Sequence, residues 1–121
     1  MALEIDPDTL SPQDYMDALI TMSEKLPDNH LAMLQAHYRA PNHKISARQM
    51  AEAVGYPNVA SANLQYGTLA GRLCDIINYR PEGDNVYVLA NLIRPEIEGN
   101  PEWLWEMRPQ LAKALEQLGW V

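Results

Sequence analysis

The chain has 121 residues, of which 47% are hydrophobic and 21% charged, and its net charge is −7. This size and composition predict a single folded domain with its own core and exclude a wholly disordered chain. Because Cys74 is the single cysteine, an intramolecular disulfide is excluded and a cysteine-based zinc site is not expected. No apolar run reaches the roughly 18 residues of a membrane span, and no secretory signal is visible, so the chain is expected in the cytoplasm.

The negative charge is unevenly distributed along the sequence. Residues 1–30 carry a net charge of −6 and residues 81–121 a net charge of −4, whereas residues 31–80 carry +3. The middle segment is therefore the one part whose charge favours a polyanion such as DNA. Ordinary scatter of surface charge would produce the same modest surplus.

The N-terminal part predicts an arm followed by a helix. Residues 1–10 are acidic and contain Pro7, which indicates a loose arm. Ser11 followed by Pro12 is a helix start, since Ser caps the first turn and Pro fits the first helical position. Apolar residues at helical spacing extend this helix to Leu26, just before Pro27.

A second helix is expected between two prolines. Asp28 or Asn29 can cap its start, and Pro41 with Asn42 closes it. Its apolar side is predicted to consist of Leu31, Leu34, Ala36 and Tyr38.

The centre of the sequence predicts a tight pair of helices. A minimal strand over 44–46 leads into a third helix over 47–54, capped by Ser46 and ended by Gly55. A fourth helix begins at about residue 59 or 61 and runs to 77. The apolar stripe of the fourth helix is predicted to be Ala62, Tyr66, Leu69, Leu73 and Ile76.

The C-terminal part changes from helical to alternating patterns. Residues 85–93 and 102–107 predict two strands that pair as a hairpin, with Trp103 and Trp105 on one face. Pro109 then opens a last helix that Gly119 ends.

The order of these elements predicts an α+β, mostly helical fold. Two helices joined by a tight turn and followed by a β-hairpin indicate a winged helix-turn-helix, with the hairpin as wing and a final helix behind it. Residues 11–121 are expected to form this single domain.

The stretch 34–73 and the C-terminal tail resemble a winged-helix-like segment of bacterial restriction-type proteins, in which it can precede an HNH nuclease domain. Four motifs carry the resemblance: His37-Tyr38-x-Ala40-Pro41, Ala51-x-x-x-Gly55-Tyr56, Ala62-Asn63-Leu64-Gln65-Tyr66-Gly67 with Gly71, and Trp105-x-x-Arg108-Pro109 with Ala114-Leu115-x-x-Leu118-Gly119-Trp120.

The resemblance implies a recognition or adaptor domain, because it does not extend to a nuclease module. An HNH site needs clustered histidines around a divalent cation. The sequence holds only His30, His37 and His43, and the first two lie two helical turns apart. Neither an enzyme, nor a metal site, nor a cofactor is therefore predicted, and Cys74, beside Asp75, is expected to be a packing residue.

The fourth helix is the most informative element for function. Gly67 and Gly71 fall opposite its apolar stripe, where each glycine costs on the order of 1 kcal/mol relative to Ala. This cost indicates that a DNA strand, a partner helix or another part of the chain approaches the helix backbone. The alternative is that both glycines pack under the first helix or the hairpin.

Ten residues are predicted to form the binding surface. For double-stranded DNA, phosphates would be contacted by Lys44, Arg48 and Arg72, and the groove would be faced by Ser61, Asn63, Gln65 and Thr68. For a protein partner, the centre of the same surface would be Leu64, Gly67 and Gly71.

Three functions remain open on sequence grounds. The leading expectation is a DNA-binding module of a restriction- or defence-related protein. The second is a protein-interaction adaptor or inhibitor that docks on a larger nuclease or defence complex, and the third is a DNA mimic. Trp103 and Trp105 could also stack on bases, although core packing is the commoner role of such a pair. A continuous positive patch on the fourth helix would favour DNA, and a neutral surface would favour protein.

Overall fold

The computed structural model describes residues 10–94 and 102–121. Their helices and strands are α1 (Pro12–Met22), α2 (Asp28–Arg39), β1 (Lys44–Ser46), α3 (Ala47–Val54), α4 (Val59–Ile77), β2 (Ala90–Ile93), β3 (Leu104–Met107) and α5 (Pro109–Leu118). The predicted α+β, mostly helical class is confirmed. Residues 1–9 of the expected arm and residues 95–101 between β2 and β3 lie outside the described residues, whereas Leu10 is buried in the core.

Local capping chemistry sets the helix ends that the sequence predicts best. The Ser11 and Ser46 side chains each accept a hydrogen bond from the backbone three residues on, in reciprocal capping boxes that begin α1 and α3. α3 ends at Gly55, whose φ of +81° lies in the left-handed region. These three predictions are confirmed.

The start and buried side of α2 differ from prediction. Pro27 occupies the cap position instead of Asp28 or Asn29, and a 3-10 turn over Ser23–Lys25 precedes it, so α1 ends one turn early. The residues that α2 buries are His30, Met33, Leu34 and His37. Leu31, Ala36 and Tyr38 are only partly buried. Polar partners on distant elements allow the two histidines to be buried.

The inner face of α4 confirms most of the predicted stripe. Ala62, Tyr66, Leu69 and Leu73 are each at most 1% exposed. Ile76, the last member of the predicted stripe, is 39% exposed, because it lies beside an open cleft with the end of α1.

The three strands form an antiparallel sheet in the order β1-β3-β2. The predicted hairpin is confirmed, with Ala90 opposite Met107 and Ile93 opposite Leu104. The prediction of a strand over 85–93 is wrong in its first half, where Asn85–Val88 forms a 3-10 turn. The Asp84 side chain accepts a hydrogen bond from the Val86 N–H and so favours the turn.

The two tryptophans near β3 have different environments. Trp105 lies within the strand, is 8% exposed and packs on Tyr66 with ring centroids 5.0 Å apart. Trp103 precedes the strand, which begins at Leu104 and not at residue 102, and it is 46% exposed. Core packing therefore explains Trp105 but not Trp103.

Candidate interaction surface

A buried polar cluster fixes the rotation of α4. His37 Nδ1 lies 2.6 Å from the Tyr66 hydroxyl, and His37 Nε2 lies 2.9 Å from the carbonyl oxygen of Trp105. Since that carbonyl can only accept, Nε2 carries the proton and Nδ1 accepts from Tyr66. Burial lowers the pKa of His37 from 6.5 to about 4, so the ring is neutral near pH 7. The cluster ties α2, α4 and β3 together.

Gln65 lies on the flank of α4 that faces α2. Its Oε1 atom is 2.9 Å from His30 Nε2, and the Gln65 residue is partly buried. The structure thus directs toward α2 a side chain that the sequence predicts to face a DNA groove. His30 Nε2 donates this bond, because the amide oxygen is an acceptor.

The outer face of α4 is formed by Asn63, Leu64, Gly67, Thr68 and Gly71. Leu64 is 66% exposed, and a Cβ added at Gly67 would meet nothing within 4 Å. A Cβ at Gly71 would lie 3.5 Å from the Asn85 side chain, which is an ordinary contact. The Thr68 hydroxyl donates to the Leu64 carbonyl at 2.9 Å. Neither packing nor close approach within the described residues therefore requires Gly67.

Two other predicted contact residues lie at the ends of α4. The Ser61 hydroxyl donates to the Asn58 side chain at 3.0 Å and belongs to the helix cap. Arg72 lines a cleft of about 430 Å³ beside Met22 and Lys25, at the end of α1. Nine residues of helix separate Arg72 from Asn63, about 13 Å along the axis. The structure does not bring Arg72 together with the residues at the start of the helix.

Carboxylates neutralise most cations of the middle segment. Arg48 Nη2 lies 2.9 Å from Glu102 Oε2 in a two-pronged contact, and Lys44 Nζ lies 3.9 Å from Glu106. Arg80 pairs with Asp75. Because Glu102 and Glu106 come from outside residues 31–80, counting them lowers the surplus of three positive charges to one. The hydrogen bonds from Arg48 lower the pKa of Glu102, so this carboxylate stays ionised.

A groove of about 250 Å³ adjoins the N-terminal end of the outer face. We call it the Trp103 groove. Its lining residues are Ser46, Ala47, Arg48, Val59, Asn63, Leu92, Glu102, Trp103 and Trp105. The sequence does not predict this groove. Its one signal is the spacing of Trp103 and Trp105, which places both side chains on one side of an extended chain.

Cys74 is buried, as the packing role predicted for it requires. Burial raises the pKa of the Cys74 thiol to about 11, so it is protonated near pH 7. Across residues 10–94 and 102–121, no group of three or more His, Cys, Asp or Glu side chains is placed to hold a metal ion.

No family model, curated protein or solved structure matches the chain. In the part of the chain that the structure describes, no helix is long and apolar enough to cross a membrane.

Proposed function

We propose that this chain is a non-catalytic protein-interaction module with a winged-helix arrangement. Two observations support the arrangement. α3 and α4 are joined by a tight turn at Gly55, and the hairpin of β2 and β3 follows them in a sheet ordered β1-β3-β2. In this arrangement α4 is the helix that presents the binding surface.

We favour a protein partner over DNA because most of the cations that would contact DNA are already paired with carboxylates. Affinity for DNA depends on Lys and Arg side chains that displace counterions from phosphates. Here Lys44 and Arg48, two of the three predicted phosphate contacts, already pair with glutamates. In the sequence, residues 95–101 add two further acids, Glu96 and Glu98, and no Lys or Arg. A duplex would thus meet Glu102 and Glu106 beside the cations that phosphate contacts need.

The exposed apolar residues fit a protein partner. Leu64 at the centre of the outer face is 66% exposed, and Val59, one helical turn before Asn63, is 41% exposed. The centres of protein interfaces are depleted of charge, which fits exposed apolar residues at these positions. Gly67 leaves space for a partner's backbone or side chain to approach α4 closely.

The resemblance to restriction-type proteins suggests which partners to examine first. In those proteins the segment can precede a nuclease, so we propose that this module docks on a nuclease or another component of a defence assembly. Products of genes next to its own are the natural candidates.

Affinity capture with matched surface variants tests this proposal. Tagged wild-type protein, Leu64→Glu and Ile20→Glu are used to capture partners from cells that naturally express the chain, and the bound proteins are quantified by mass spectrometry. Ile20 is also exposed, at 52%, but lies on α1 and serves as the control. We expect Leu64→Glu to lose at least tenfold of a specific partner that Ile20→Glu retains. Equal capture by all three proteins contradicts docking through α4.

DNA binding is the second candidate, favoured by one observation. Asn63 is exposed near the start of α4 and its side chain forms no hydrogen bond within the described residues, so the side-chain amide is available to read adenine. Arg72 has no carboxylate partner in the same part of the chain.

A salt series measures this alternative. If the domain binds duplex DNA, the logarithm of its affinity falls with slope about −0.9 for each phosphate contacted. Arg72→Ala would then reduce the magnitude of the slope by roughly one, as would Arg48→Ala if phosphate displaces Glu102. Asn63→Ala would weaken sequence preference and leave the slope unchanged. Absence of binding at about 50 mM salt excludes DNA for this domain.

A further inference from the structure

The Trp103 groove collects exposed apolar side chains in one place. Six large hydrophobic side chains are exposed in the described residues, and three of them line this groove: Trp103 at 46%, Leu92 at 44% and Val59 at 41%. Single exposed apolar residues are normal on a protein surface, but a cluster around a concave site marks binding. The floor is continuous with the core through Trp105, which is 8% exposed.

The charges of the residues that line the groove cancel, because Arg48 and Glu102 are the two charged ones among them. Arg48 and Glu102 neutralise each other across its edge, through two hydrogen bonds. Above the Trp103 ring, the Arg94 guanidinium lies 5.5 Å from the ring centroid and covers one face of the indole. Since Arg48 is already paired with Glu102, this edge of the groove offers no strong attraction to a phosphate or a carboxylate.

The size of the groove limits its occupant further. Sites for small molecules and cofactors usually enclose about 300–1,000 Å³. At about 250 Å³, the groove is smaller than that range and matches one large side chain. The exposed Asn63 amide, at the side that adjoins the outer face of α4, supplies a donor and an acceptor.

We propose that the Trp103 groove binds one apolar side chain, aliphatic or aromatic, presented by the protein on which the module docks, while Asn63 hydrogen-bonds a neighbouring peptide group of that partner. This inference rests on the proposed function and names the chemistry of the partner. The anchor enters between α3, α4 and the sheet, and the chain on either side of it crosses the outer face of α4. A buried anchor surrounded by weaker contacts is the usual energetic pattern of protein interfaces.

Short peptides test the groove without knowledge of the partner. The probes are acetylated and amidated tripeptides, Ala-Leu-Ala and Ala-Phe-Ala, with Ala-Glu-Ala as the matched control. Each is titrated into the 15N-labelled full chain, and amide shifts are followed by NMR. We expect the Leu and Phe peptides to shift the amides of Ala47, Asn63, Leu92 and Trp103, with Kd of about 1–10 mM for so small an anchor. The Glu peptide is expected to bind at least tenfold more weakly.

Two variants locate the binding. Trp103→Ala removes most of the apolar wall, and we expect it to weaken the Phe peptide at least fivefold. Ile20→Ala, which removes an exposed apolar side chain on α1, should leave the affinity unchanged. Because Trp103 is exposed, its variant should keep the wild-type NMR spectrum outside the groove. If it does not, Leu92→Glu provides the same comparison.

Each result decides the inference. The inference is supported if the amides of the groove shift with the Leu or Phe peptide and not with the Glu peptide. No groove shifts, or equal shifts with Glu, overturn it. Tighter binding of a short oligothymidylate at the same amides also overturns it, because the occupant is then a nucleobase stacked on Trp103. The proposed function fails separately, when Leu64→Glu retains every captured protein.

Discussion

The two sides of α4 differ in how completely the rest of the chain accounts for them. On the inner side, Tyr66 is buried, its hydroxyl meets His37, and its ring packs on Trp105. On the outer side, Leu64 is 66% exposed and Gly67 faces open space. Packing within the fold explains why the inner side needs these residues. No contact within the described residues explains the choice of Leu64 and Gly67 on the outer side.

This difference separates residues that stabilise the fold from residues available for binding. Inner positions are expected to lose stability when they are changed, since their polar atoms are paired and their apolar atoms are packed. Outer positions are expected to tolerate substitution or to gain stability, and to lose the partner. The predictions below test that division, beginning with the largest expected effect.

Removing the buried imidazole should cost the most. His37→Ala removes the hydrogen bonds to the Tyr66 hydroxyl and the Trp105 carbonyl and opens a cavity, so the free energy of unfolding should fall by about 3–5 kcal/mol. Denaturant unfolding measures this loss. His43→Asn is the control, because His43 is only partly buried and has a φ of +60° that Asn also adopts. The assigned role of the cluster would be contradicted if His43→Asn changed the free energy of unfolding by more than about 1 kcal/mol. A loss of less than about 1 kcal/mol in His37→Ala would also contradict it.

Acid should weaken the same cluster. The folded pKa of His37 is about 4 and its ordinary value is 6.5, so the unfolded chain binds more protons between these values. Stability therefore falls as the pH falls from about 6.5 to 4, by about 3 kcal/mol for this group. Unfolding experiments across that range should show a steeper loss for the wild type than for His37→Gln, which cannot titrate. Parallel curves would mean that His37 ionises normally in the folded protein.

The stability of the protein should be sensitive to any side chain introduced at Gly55, where α3 ends. At Gly55 the φ of +81° is unfavourable for residues with a Cβ, although a Cβ would touch nothing within 4 Å. Gly55→Val should therefore lower the free energy of unfolding by roughly 1–2 kcal/mol, through backbone strain alone. Thermal unfolding checks this value. Unchanged stability would show that the turn between α3 and α4 adopts another conformation.

The smallest expected effect has the opposite sign. Gly67 lies inside α4 with helical geometry and open space around it, so Gly67→Ala should raise the free energy of unfolding by about 0.5–1 kcal/mol. The same denaturant experiment measures it. A loss of stability would mean that another residue packs against Gly67. The outer side of α4 would then be part of the packed fold, like the inner side.

Local signals in the sequence were sufficient to predict both ends of α3. Ser46 and Gly55 define α3 because capping and left-handed closure depend on residues within one turn. The apolar spacing from Ala62 to Leu73 likewise gives the correct rotation of α4. That rotation is why the outward placement of Leu64 and Gly67 was predictable.

Long-range partners were not predictable from the sequence. The buried side of α2 depends on Gln65, Tyr66 and the Trp105 carbonyl, which lie 29 to 68 residues from the histidines they contact. Glu102 pairs with Arg48 across 54 residues, so a positive segment in the sequence becomes a nearly neutral surface in the fold. The 3-10 turn over Asn85–Val88 shows that a β-rich composition can be overridden by one capping aspartate.

Affinity capture of the partner with the Gly67→Trp variant tests the central claim most directly. The claim is that the outer face of α4 is a protein-docking surface that the fold itself does not need. We predict that Gly67→Trp keeps the wild-type unfolding free energy to within about 1 kcal/mol, because the indole would project into open space. The same variant should lose at least tenfold of the partner that wild type and Ile20→Glu both capture. Full retention of that partner by a folded Gly67→Trp protein would contradict the account.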